Sequence, residues 1–187
     1  MITDDDLQHL DAATTLFETV LGRDNLDGAR PSLCPGWSTR DVVNHVLGGA
    51  IRYAHYFTGA DPAEIAWTRT AEIAGDDPIG THRRLAAVLR GEFDAHRDDG
   101  IVLPHPIRAV DAPTLLVMRV QELVLHTWDI AAATDPDVVL EASLCRFLLD
   151  RGEPVRTILR SADALDPATT PADDSLTAQV LAAWGRG

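Results

Sequence analysis

The chain contains no lysine; all sixteen of its basic residues are arginine. Schiff-base chemistry on a lysine and a Walker-type phosphate loop are thereby excluded, since both need the ammonium group. Cysteine is nearly absent: only Cys34 and Cys145 occur, too few for the disulfide framework of a small secreted domain. The opening Met1-Ile2-Thr3-Asp4-Asp5-Asp6 has neither the basic region nor the apolar stretch of a signal peptide. The most apolar segment, residues 114–133, is interrupted by Arg119, Glu122, His126 and Asp129, so no membrane span is expected. A reducing, cytoplasmic setting is the expectation that follows. With 29 acidic residues against sixteen basic ones the formal charge is −13. Such a chain repels phosphate backbones, so nucleic acid is not an expected partner.

What is present is mostly helical patterning. Leu7, Leu10, Thr14, Phe17 and Leu21 recur at threes and fours, predicting a helix from Asp4 to Leu21 with Gly22 after its end. Residues 22–37 are a turn-rich connection, after which Ser38 and Asp41 form a capping-box start for a helix over 39–58. A short helical piece is expected at 61–73, and a third main helix from Pro78, capped by Asp77, to His96. Residues 98–113 read as a loop with a short extended stretch at Ile101-Val102-Leu103, before a fourth helix from about Asp111 to Ala133. Further helices are expected at 137–151 and 175–184, joined by a Pro-, Asp- and Thr-rich stretch over 163–174. The expected fold is all-α, with 187 residues suiting one domain: a four-helix bundle over about 4–133 and a helical tail over about 137–187.

On the fourth helix, steps of four and three put Glu122, His126 and Asp129 on one turn-face. Glutamate is scarce, seven residues against 22 aspartates, so Glu122 is not background from a Glu-rich surface. Two readings stay open. The stripe faces water, as on most helices, or it is buried among the apolar residues that border it and is compensated by a metal cation. Glu and His four apart can hold one ion from successive turns, and a third ligand is then required. His45, mid-helix among Val42, Val43, Val46 and Leu47, is the best third ligand of the seven histidines; alone it would read as a hydrogen-bonded core residue. His9, His55, His82, His96 and His105 read as solvated positions at ends and in loops. Asp129 is placed to accept the free N–H of His126, or to act as a general base. Gly49, one turn beyond His45, leaves room for a substrate or allows a close helix approach. Arg52 and Arg119 are candidates for a substrate carboxylate, or for pairing with the many aspartates. Cys34 is a candidate nucleophile or fourth ligand, but its place in a Pro-Gly turn reads rather as structural, and Trp37 and Trp128 read as packing the helix ends.

Cys34-Pro35-Gly36-Trp37-Ser38-Thr39-Arg40-Asp41-Val42-Val43-Asn44-His45 resembles the segment around the first metal histidine of the mycothiol-dependent maleylpyruvate isomerase N-terminal family. Gln121-Glu122-Leu123-Val124-Leu125-His126-Thr127-Trp128-Asp129-Ile130-Ala131 is similar to that family's second metal segment. The closing Ala182-Ala183-Trp184-Gly185-Arg186 resembles the end of an actinobacterial metal-binding subgroup. The resemblance implies a DinB/YfiT-like four-helix bundle in which His45, Glu122 and His126 bind a divalent metal, usually zinc, with mycothiol as co-substrate. It also implies that a further C-terminal domain of the isomerase is lacking here. The expected function is a zinc-dependent thiol transferase or isomerase acting on a small electrophile, as a monomer or a homodimer. Two alternatives stand beside it: a non-catalytic metal- or ligand-binding helical protein, and a non-haem iron enzyme, since two histidines and a carboxylate suit iron as well.

Overall fold

Charge and capping set the first helix. Thr3 N–H donates to the Asp6 carboxylate (2.9 Å) and Asp6 N–H to Thr3 Oγ1 (3.1 Å), while three aspartates in the first turn favour the helix dipole. This helix, α1 (Asp4–Leu21), buries Leu7, Leu10, Ala13 and Phe17 along one face. The structure is a computed structural model in which residues 1–21 and 30–186 are described; the expected stop at Gly22 and the connection to residue 29 lie outside them.

The second helix, α2 (Thr39–Tyr56), begins at the predicted capping box. Asp41 N–H donates to Ser38 Oγ (3.2 Å) and Ser38 N–H to the Asp41 carboxylate (2.8 Å), which satisfies two backbone donors at once. Residues Pro62–Arg69 form a 3-10 helix that packs on α2. The third helix, α3 (Pro78–Ala95), starts behind Asp77, whose carboxylate accepts Gly80 N–H at 2.8 Å. The extended stretch is β1 (Val102–Leu103), paired antiparallel with β2 (Val110–Asp111). Asp111 then caps α4 (Ala112–Ala131) through Thr114 N–H at 2.9 Å, with Pro113 in the first turn.

Sixteen of the twenty residues of α4 are buried, which decides against a stripe facing water. α4 packs against α1 and α2, and α3 closes on the same two helices, giving the four-helix bundle. The tail holds α5 (Ala142–Arg151), α6 (Glu153–Arg160) and α7 (Leu176–Ala183). α5 begins five residues later than expected, where the Glu141 side chain caps Ser143 N–H. α6 was not anticipated: Gly152 ends α5, and Pro154 sits in the first turn of a new helix. Arg156 fastens the corner, donating to Leu148 O (3.1 Å) with its guanidinium 5.3 Å above the ring of buried Trp184. No helix among the described residues is long and apolar enough to cross a membrane.

Candidate functional site

The face of α2 that carries His45 meets the charged stripe of α4. His45 Nε2 stands 3.3 Å from Glu122 Oε1, and the His45 and His126 rings meet edge to face with centroids 5.1 Å apart. The structure therefore brings together the three residues that the sequence singles out. They open onto a cavity of about 600 Å³ whose wall also includes Cys34, Trp37 and Arg52.

Glu122 is held from behind. Its Oε2 accepts from Arg119 at 2.7 Å, and the same Arg119 nitrogen donates to Val46 O at 2.9 Å. Burial works to raise the carboxyl pKa of Glu122, but Arg119 first, then His45 and Arg52, hold it below the ordinary value. Arg119 is buried and absent from the cavity wall: it pairs with an acid, a glutamate rather than one of the many aspartates, and is not placed to bind substrate. Arg52 does reach the wall, where it donates to Thr68 Oγ1 (3.1 Å).

Gly49 corrects a second expectation. A Cβ on this residue would lie 2.5 Å from Glu122 Oε1. The room it leaves is filled by the Glu122 carboxylate, not kept for a substrate, and close approach between α2 and α4 is the reason for the glycine.

Asp129 takes the orienting position. Its Oδ2 accepts from His126 Nδ1–H at 2.8 Å, which fixes the tautomer and leaves the lone pair on Nε2 free to ligate. Arg186 grips both Asp129 oxygens at 2.8 Å. These bonds, working against burial, keep the Asp129 carboxyl far below its usual range. Burial, opposed by the Glu122 charge, lowers the His45 pKa to about 4, so its ring is neutral at pH 7 and able to ligate.

Cys34, read from its turn as structural, packs against the site. Gly36 at φ +78° closes a turn in which Trp37 N–H donates to Cys34 O at 3.0 Å, and Leu33 N–H ties the segment to Asp129 O at 3.0 Å. Cys34 Sγ comes 3.1 Å from Asp129 Oδ2 and 3.7 Å from His126 Nδ1. Trp37 lies on the cavity wall, its ring centroid 4.9 Å from that of His45, so it is not merely helix-end packing. His82 was also misjudged: it is fully buried beneath Phe17.

Donor atoms of Cys34, His126 and Asp129 all fall within 4.8 Å of one another, a tighter group than His45, Glu122 and His126. That group is satisfied by its own hydrogen bonds. Asp129 is saturated by Arg186 and His126, and burial together with the Asp129 charge pushes the Cys34 thiol up to about 12. A cation there would have to displace Arg186. Two imidazoles and one carboxylate oxygen facing an open cavity fit a divalent cation better, in the pattern of sites that keep one position free.

Comparison with known proteins places the chain. Residues 9–131, a span that includes His45, Glu122, His126 and Asp129, match the profile described as the mycothiol maleylpyruvate isomerase N-terminal domain. The chain belongs to this family. An uncharacterized protein of Mycobacterium tuberculosis, found in strains H37Rv and CDC 1551, is 28% identical over 137 residues, covering 70% of this chain and 69% of that one. The crystal structure of the mycothiol-dependent maleylpyruvate isomerase, and that of a histidine-to-alanine mutant of it, superpose with TM-score 0.69 at 22% identity. The fold is thus the DinB-like all-α fold of that enzyme. These superpositions cover all of this chain and 90% of the other, so the tail helices lie within the matched span.

Proposed function

We propose that this family member binds one divalent metal ion, most simply zinc, through His45, Glu122 and His126, and uses a low-molecular-weight thiol of the mycothiol type on a small electrophile. The carrying observation is the trio itself. Two helices aim an imidazole and a carboxylate at each other across 3.3 Å, with a second imidazole beside them, at the wall of one cavity. When bound, such an ion lowers the pKa of a thiol that takes its open position.

The protein's residues do the rest. Asp129 and Arg186 hold the His126 ring, and Arg119 keeps the Glu122 carboxylate ionised and in place. The cavity of about 600 Å³ has room for a thiol and a small second substrate together. Transfer of the thiol to an epoxide or activated double bond would leave a conjugate; addition, rotation and expulsion would give an isomerase. Cys34 is not the nucleophile, because its thiol stays protonated at neutral pH.

Elemental analysis of protein purified without added metal is the test, paired with a mass-spectrometric screen for conjugates of mycothiol with Michael acceptors and epoxides. Near-stoichiometric metal is expected in the wild type. His45→Ala, Glu122→Ala and His126→Ala should lose it while keeping their helical circular dichroism. A wild type without stoichiometric metal overturns the reading.

A further inference from the structure

The α2 face that begins with His45 continues along the cavity. Positions 45, 49, 52, 53 and 56 fall within about 100° of one another on a helix, and His45, Arg52, Tyr53 and Tyr56 all line the same hollow. Beside them, the loop between β1 and β2 delivers His105, whose ring meets Tyr53 and Tyr56 edge-on with centroids 6.2 and 5.9 Å apart. Tyr53 is 9% exposed, and its hydroxyl has no hydrogen-bond partner among the described residues. Nδ1 of His105 is buried and likewise unpartnered. A neutral ring carries one proton, and it belongs on Nε2, the nitrogen left to the cavity.

Two donors without a protein acceptor thus stand on one wall of the cavity that holds the proposed metal trio. We propose that Tyr53 and His105 are catalytic residues that hold the carbonyl oxygen of an α,β-unsaturated electrophile while the co-substrate's sulfur, already deprotonated to the thiolate, adds to its β-carbon. The proposal rests on the thiol–electrophile reading above. As the sulfur lone pair forms the C–S bond, the C=C pair moves toward the carbonyl carbon and the carbonyl pair moves onto oxygen. The enolate oxygen accepts from Tyr53 Oη–H and His105 Nε2–H. After rotation about the new single bond, the same pairs return, the double bond re-forms and the sulfur leaves with its electrons, so no further reactant is consumed.

Electrostatics agree. Burial, then Arg69, lowers the His105 pKa to about 4, against the attraction of Glu122, while Arg52 adds to the lowering. Burial and the Glu122 charge push the Tyr53 phenol well above its ordinary value. Both groups are uncharged at neutral pH, and preorganised neutral donors in a half-enclosed site stabilise a developing oxyanion strongly.

The test is equilibrium binding of 4-nitrophenolate, an oxyanion whose absorbance reports its ionisation, to folded protein in the His45→Ala background, where direct ligation by metal is removed. Adding Tyr53→Phe or His105→Ala should weaken phenolate binding roughly tenfold or more, whereas His105→Gln, which keeps an N–H donor, should stay within about threefold of its parent. Unchanged binding in both Tyr53→Phe and His105→Ala, or no phenolate binding by the parent, overturns the proposal. Metal content of the wild type is read separately, so failure of the thiol reading and failure of the donor pair are distinguishable.

Discussion

At the scale of single residues, the site depends on a side chain that is missing. A methyl group at residue 49 would meet Glu122 Oε1 at 2.5 Å and Oε2 at 2.7 Å, and that carboxylate cannot swing away because Arg119 holds it. Gly49→Ala is therefore expected to lower stability by about 1–3 kcal/mol through overpacking, despite the better helix propensity of alanine, and to reduce bound metal. Gly91→Ala is the control: nothing lies within 4 Å of its Cβ position, so it should stabilise by up to about 1 kcal/mol. Urea titration with metal analysis measures both. The ligand candidates were legible because helix periodicity alone groups Glu122 with His126, and because His45 sits among valines. The neighbours that complete the site were less so. Cys34 and His105 come from loops, where spacing carries no direction. Tyr53 and Tyr56 share the His45 face of α2, and that spacing was the available signal.

At the scale of elements, capping chemistry announced the helices and one burial pattern was overlooked. Ser38, Asp77 and Asp111 start α2, α3 and α4 where their side chains predicted. α6 went unread because Gly152 looks like an end, although Pro154 behind it is also a first-turn signal. His82 lies seven residues before Leu89 and eleven before Phe93 on α3, a helical repeat that marks it as a core position. There its Nε2 meets Thr14 O of α1 at 3.1 Å and its Nδ1 is buried without a partner. Burial, then Arg119, lowers its pKa from 6.5 to about 4. Between these values the unfolded chain binds the proton and the folded one does not, so this contribution is complete above about pH 6.5 and is lost as pH falls toward about 4. Denaturation midpoints measured across that range should fall more steeply in the wild type than in His82→Gln. Equal slopes would show that His82 is not the group responsible.

At the scale of the whole molecule, an ion pair from the tail reaches the site itself. Arg186, beyond α7, donates twice to Asp129 of α4, and Asp129 in turn holds His126. Removing that guanidinium leaves a buried carboxylate with fewer partners and a loosely oriented imidazole. Arg186→Gln is thus expected to lower metal affinity by roughly 10–100-fold, as read by competition with a chelator. Arg83→Gln, which breaks the exposed pair with Glu18, should leave that affinity unchanged and cost less than about 1 kcal/mol. Equal affinities for Arg186→Gln and wild type would separate the tail from the site. No pattern in the sequence linked residues 57 positions apart; only the packing of tail on bundle did so.

The contact between Trp37 and His45 carries a practical corollary. An indole whose ring lies 4.9 Å from that imidazole emits light that responds to what the imidazole carries, whether a proton or an ion. Trp37 emission is therefore expected to gauge the arrival of the proposed ion, in real time and without any attached dye.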